Sequence, residues 1–516
     1  MAGCLLGQCL ALYAMGHSVA TDGSHLPHEK RAHGHDVTHI HGVDYETVES
    51  DYLQKRQLQR GAAGWLLLAG LGVSYVISGD FAGWNFGLAE GGWGGLLIAT
   101  ILMATMYTTM VFGLAELASS IPVAGAGYGF ARRALGPLGG FATGTAILIE
   151  YTMAPAAIAV FIGGYIEALG LFGLESGWPI YLVFFAIFVG VHLYGVGEAL
   201  KLMFGITAVA VVTLLIFVVG MIPKFDAGKL FDIAPTSAVG ASDFLPFGFA
   251  GILAALVYGI WFFLAVEGVP LAAEEARDPK KDMPRGIIAS MCALLVFAAL
   301  ILLVAPGGAG AAALKDSDNP LPLAVRTAYR GDLWLADVVN YVGLAGLVAS
   351  FFAIIYAYSR MLFALSRAGY LPRWLSVTGV RKTPYLALIV PGLVGFGLAA
   401  ITEDGALLIN IAVFGATVSY VLMMLSHIVL RVREPNLARP YRTPGGIVTT
   451  SVALVLAMAA VVATFFVDEK AAAITGAVFL AAIAYFWFYS RHRLVASAPE
   501  EEFEAIQRAE ADLASD

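Results

Sequence analysis

Charged side chains are scarce in this sequence. Asp, Glu, Lys and Arg make up 13% of its 516 residues, about half the share of an ordinary soluble domain. With 59% of residues hydrophobic and a mean hydropathy of +0.78, too little polar surface remains to cover a water-soluble core. Lipid must be the solvent for much of this chain. Cysteine is nearly absent: Cys4, Cys9 and Cys292 are too few for a disulfide framework, and Cys292 lies inside an apolar run. No basic stripe is present, and 38 acidic residues outnumber 30 basic ones, which leaves no basis for a nucleic-acid partner. A phosphate-binding GxxxxGK[ST] is missing, which argues against an ATP-driven pump. No metal-ligand cluster or activated nucleophile is evident, so neither a cofactor nor an enzyme is expected. The longest loops, near residues 223–249 and 306–332, are too short for a soluble catalytic domain. What remains is a secondary transporter, a channel or a membrane sensor.

What is present is apolar length. A bilayer core of ~30 Å needs ~20 apolar residues in a helix. Twelve stretches qualify, from residues 62–85 to residues 472–489, with the fourth (178–193) and ninth (385–401) short. The expected fold is therefore an all-α integral membrane protein of about twelve spans. Gly 58 is high, as expected where helices approach closely in lipid. Charge placement tests the count. All but six of the 30 basic residues fall in the even-numbered loops and the termini; the exceptions are Lys224, Lys229, Lys315, Arg326, Arg330 and Lys470. A span missed early would invert this alternation downstream. Under the positive-inside rule both termini are expected to be cytoplasmic. Residues 53–490 read as the transmembrane domain, and 491–516 as an acidic cytoplasmic tail. Residues 1–52 read as a disordered tail holding seven of the ten histidines, a composition that also occurs in metal-binding tracts. Residues 1–20 lack the basic region of a signal peptide and read as a start-site extension.

Two spans carry interruptions at mid-membrane depth. In the first, Ser78-Gly79-Asp80 is followed by Gly83 and Trp84. Gly79 favours a backbone break, because it lacks the Cβ that confines other residues to helical angles. A charge at this depth costs ~2.5–3.5 kcal/mol, so Asp80 is expected to face an interior site. The sixth span repeats the device, with Trp261 two turns before Glu267-Gly268 and Pro270 beyond. Matching interruptions in two halves point to a transporter binding site. Asp80 and Glu267 either line that site or cap the half-helix that follows; in both cases they repel an anion and favour a cation. Glu150, beside Tyr151 in the third span, completes the cavity, carries a proton, or pairs with a polar group of a neighbouring helix. Trp261 is either a cation–π wall and lid or packing. Glu116 is expected to tether a basic loop, and His192 and His427 carry no assigned role.

These residues resemble the amino acid–polyamine–organocation transporter superfamily. The stretch from Glu116 through Pro122, Gly125, Gly127, Tyr128 and Phe130 to Gly136-Pro137 is similar to its signature after span two. Glu267 with Glu274-Glu275-Ala-Arg277-Asp278-Pro279-Lys280-Lys281 resembles its sixth-span motif and loop, and Arg367-Ala-Gly369-Tyr370-Leu371-Pro372 its loop after span eight. The resemblance implies an inverted five-plus-five helix repeat with two added helices, and alternating access around spans one, three, six, eight and ten. Amino acid carriers of the family commonly have Gly-Ser-Gly where this chain has Ser78-Gly79-Asp80. Asp80 then fills the substrate-carboxylate subsite, and the pattern through Phe81-Ala82-Gly83-Trp84-Asn85 is similar to the bacterial ethanolamine permease branch. The resemblance thus implies an ethanolamine importer coupled to a proton or sodium ion, or working by exchange. In that reading Asp80 and Glu267 hold the ammonium, Ser78 and the backbone near Gly79 receive the hydroxyl, Glu150 and Tyr151 line the cavity, and Trp261 closes it. An amino acid or polyamine permease of the same fold, and a non-transporting sensor, are the alternatives.

Overall fold

Among the described residues of the computed structural model, ten helices are long and apolar enough to cross a bilayer. Two shorter apolar helices, Trp65–Phe81 and Trp178–Tyr194, stand at the first and fourth predicted positions. Together they account for the twelve predicted spans. The structure describes residues 37–40, 42–46, 63–122, 125–169, 177–331, 334–380 and 383–495. The start-site extension, six of the seven N-terminal histidines, Cys4, Cys9 and residues 496–516 of the acidic tail lie outside them.

The first span looks short because it is broken. Its second half is the beginning of the helical stretch Phe86–Ser120, which turns sharply at Gly92 (φ 66°, ψ −179°). A Cβ at Gly92 would collide with the ring of Pro246, so only glycine fits this left-handed corner. Gly136 (φ 80°) makes the same kind of corner inside Gly127–Glu167 and separates a short leading helix from the third span.

The packing has an internal symmetry. Span two lies against span six and span seven against span one; span three lies against span ten and span eight against span five. Spans two and seven pack on each other, as do three and eight, and four and nine. Exchanging the first five spans with the second five maps these contacts onto themselves. Five is odd, so the second copy enters the bilayer with the opposite sense, which is the inverted repeat. Spans eleven and twelve, Ile447–Val467 and Glu469–His492, pack outside it. Phe466, Leu480 and Phe488 are largely exposed on them, an arrangement suited to lipid.

The N-terminal stretch expected to be disordered contains one ordered piece. Val37–Ile40 and Val43–Glu46 form an antiparallel hairpin around Gly42, and the second strand pairs in parallel with Leu494–Val495. Asp44 accepts from His39 Nδ1 at 2.6 Å and His492 Nδ1 at 2.7 Å, while Arg373 reaches Glu46 at 2.9 Å. A tail free in water could not hold these strands. The partner strand at residue 494 supplies the missing ladder.

Candidate substrate-binding site

The first span is helical through Ser78, Gly79, Asp80 and Phe81. It breaks at Ala82, which is extended (φ −159°, ψ 160°), and at Gly83 (φ 92°). The expected break at Gly79 is therefore displaced towards Ala82 and Gly83. Gly79 serves a different purpose: a Cβ there would lie 2.5 Å from the carbonyl oxygen of Trp261. Its bare backbone lets the sixth span approach. That span is helical from Gly248 to Trp261, turns through Ala265 (φ 76°), and resumes as a 3-10 helix at Val266.

Both breaks are bonded, as an irregular backbone inside a membrane must be. The Trp261 indole N–H donates to the Ala82 carbonyl at 2.9 Å, and the Tyr165 hydroxyl to the Phe81 carbonyl at 2.9 Å. Asn85 accepts from the Gly83 amide at 3.2 Å and donates to the carbonyls of Leu314 and Ser317. Trp261 is thus no free lid in this conformation. It ties one broken helix to the other, with its ring edge-on to Phe161.

Asp80 lies in the last turn of the first half-helix, so it does not cap the half that follows. Its carboxyl is fully buried, and among the described residues neither oxygen has a hydrogen-bond partner. The carbonyl end of a half-helix is the negative end of its dipole. Carboxyl and dipole therefore call for a cation together. Ser78 is spoken for: its amide donates to Ser350 Oγ at 2.9 Å, and Ser350 donates to the Ser74 carbonyl at 2.7 Å. A hydroxyl from the eighth span is thus inserted into the helical ladder of the first.

Glu267 does stand in the first turn of the resumed half-helix, but its partner is not Asp80. Tyr151 donates to Glu267 Oε1 at 3.2 Å and Tyr420 to Oε2 at 3.2 Å, while the Tyr420 hydroxyl also lies 3.4 Å from Glu150 Oε1. Tyr107 bonds Tyr420 at 2.8 Å. Glu150, Glu267 and the three tyrosines are all buried. The structure therefore assembles two acidic features: a solitary Asp80, and a pair of carboxyls joined by tyrosine hydroxyls. Among the described residues, Glu150 Oε2 and the Tyr75 hydroxyl are also buried without a hydrogen-bond partner. Tyr420, Tyr107 and Ser350 escaped sequence reasoning, because one tyrosine among 21 carries no signal until its neighbours are known.

The site is sealed towards the basic end of the bundle. Glu275 pairs with Arg360, both almost wholly buried, and the Arg360 guanidinium stacks 4.6 Å over Tyr356. The backbones of Ala63 and Glu275 bond at 2.9 Å, which closes the start of span one on the end of span six. Glu116 is the expected tether: it holds Arg431, Arg439 Nε at 2.9 Å and the Thr443 amide at 2.7 Å. His427 joins this network through Glu116 and Thr450, and His192 bonds the Phe188 carbonyl, so both histidines are structural.

Two broken helices around buried acids, in a bundle with an inverted repeat, define a multi-pass membrane transporter. A family model described as amino acid permease matches residues 66–495, and the chain belongs to that family, within the superfamily its motifs resemble. An uncharacterised transporter of Rhizobium meliloti (strain 1021) is 30% identical over 77% of this chain and 84% of its own. The branched-chain amino acid permease BcaP of Bacillus subtilis (strain 168) is 28% identical over 73% and 82%. The methylthioribose transporter of the same organism is 27% identical over 77% and 87%.

Proposed function

We propose that this transporter imports ethanolamine across the cytoplasmic membrane, with both termini in the cytoplasm. The observation that carries the reading is the Asp80 carboxyl, buried at the carbonyl end of a half-helix with both oxygens unpartnered among the described residues. An isolated buried carboxylate costs several kcal/mol, and a small ammonium guest offsets that cost where a carboxylate guest would add to it. Asp80 receives the ammonium. The guest's hydroxyl falls to the Ser78 side chain and the neighbouring backbone, the Ser78 amide itself being held by Ser350. The Glu150–Glu267 pair carries the coupling proton, because two carboxyls linked through Tyr420 can hand a proton from one to the other. Tyr151 orients Glu267, and Trp261 holds the two breaks together in this closed state. Sodium coupling and exchange remain the alternatives to a proton.

The relatives favour a second reading, an amino acid permease, since one of them is named for branched-chain amino acids. Uptake of radiolabelled ethanolamine into proteoliposomes, challenged with alanine, arginine and putrescine, separates the two. Uptake insensitive to alanine and arginine supports ethanolamine. Uptake of alanine itself, with ethanolamine ignored, ends the first reading.

A further inference from the structure

At the basic end of the bundle a cavity of about 610 Å³ opens between three elements. Its walls include Trp65 at the start of the first span, Lys280, Lys281, Arg285 and Ile288 in the first turns of the seventh, and Tyr441 in the segment after the tenth. None of the acids of the substrate site lines it.

The charges have the wrong sign for their helix. Pro279–Ala309 begins here, and a helix start is the positive end of the dipole, where anions stabilise and cations do not. Two acids share these turns: Asp282 accepts from the Asp278 amide at 3.1 Å at the helix start, and Asp278 pairs with Lys281 at 3.8 Å in an exposed ion pair that leaves the net charge of the lining positive. Neither lines the cavity. Three cations and a dipole end thus converge on one opening. Trp65 is 43% exposed and Tyr441 half-buried, and such amphipathic rings favour the headgroup level of a membrane. That level is where the first and seventh spans enter the bilayer. Ile288, one turn further in, continues the wall as apolar surface.

We propose that this cavity holds the headgroup of an anionic phospholipid, with its phosphate among Lys280, Lys281 and Arg285 and its glycerol end against Trp65. Basic pockets between helices at this depth have the chemistry for that ligand. The lipid bridges the start of the broken first span and the start of the seventh. These two already touch closely, since a Cβ at Gly286 would lie 2.7 Å from Leu68 Cβ.

The test is native mass spectrometry of the purified full chain with phosphatidylglycerol or phosphatidylcholine added. The expected result is retention of phosphatidylglycerol over phosphatidylcholine, weakened about fivefold for each cation removed in K280Q, K281Q and R285Q. K280R/K281R should retain it. Should the triple variant fail to fold, R285Q alone, at an exposed position, gives the single-cation step. Equal retention of the two lipids overturns the proposal. So does an equal loss in K201Q, at the same end of the bundle but outside the cavity, since that marks general surface attraction. Displacement by glycerol 3-phosphate at the same concentration as the lipid overturns it too, in favour of a free phosphate ester.

Discussion

Asp80 concentrates the chemistry of the substrate site in one side chain. Asp80→Asn keeps the shape and removes the charge, and hydrogen bonds to charged groups are worth ~1.5–3 kcal/mol. Ethanolamine uptake should therefore fall at least about tenfold, towards the background of empty vesicles, while gel-filtration profile and yield stay unchanged. Glu150→Gln should separate two properties that Asp80→Asn removes together. Accumulation driven by a pH gradient should be lost, whereas exchange of labelled for unlabelled ethanolamine should persist. A variant that still accumulates on the gradient rules the pair out as the proton carrier. Gly79 is a matter of space alone. Gly79→Ala drives a methyl against the Trp261 carbonyl and should cost about 1–3 kcal/mol, read as a lower Tm.

At the scale of elements, the two interrupted helices are held by side chains from elsewhere in the fold. Ser350 stands between the Ser78 amide and the Ser74 carbonyl, and an inserted side chain is a recognised cause of a helix bend. Ser350→Ala should leave the Ser78 amide unsatisfied or draw it back to Ser74. The expected loss is about 1–2 kcal/mol in thermal stability, with slower hydrogen exchange at Ser78 if the ladder recloses. The Glu275–Arg360 pair is the fastening of the basic end. Removing one partner leaves a buried charge, at a cost of ~3–5 kcal/mol. Glu275→Gln should therefore destabilise the protein strongly, and Glu275→Leu with Arg360→Met should recover much of the loss. A Glu275→Gln variant with unchanged Tm contradicts the fastening role.

On the scale of the whole molecule, two segments 448 residues apart in the chain, around Asp44 and His492, meet in one small sheet packed against the bundle. Burial pushes the Asp44 carboxyl up, but hydrogen bonds from His39 and His492 outweigh it and hold the group below its ordinary value. A depressed carboxyl contributes stability that is complete above its unfolded value of ~3.9 and is lost as pH falls through the lower folded value. Amide exchange of residues 37–46 should thus stay slow down to about pH 4 and quicken only below it. In Asp44→Asn this acid step should vanish. Loosening that begins well above pH 4 would contradict this role of Asp44.

Lipid as solvent, the count of spans and the charge alternation were legible in composition and order, because the bilayer constrains each helix locally and independently of its neighbours. The interruptions near Asp80 and Glu267 were legible too, through glycine, proline and an acid in apolar runs. Their bonding was not. Whether Gly79 bends the helix or admits Trp261, and whether Glu267 faces Asp80 or Glu150, depends on contacts between spans more than a hundred residues apart in the chain. Tyr420 bridging two carboxyls and Ser350 entering another helix are likewise products of packing, since a side chain acquires a partner only when the folded bundle brings one within 3 Å or so.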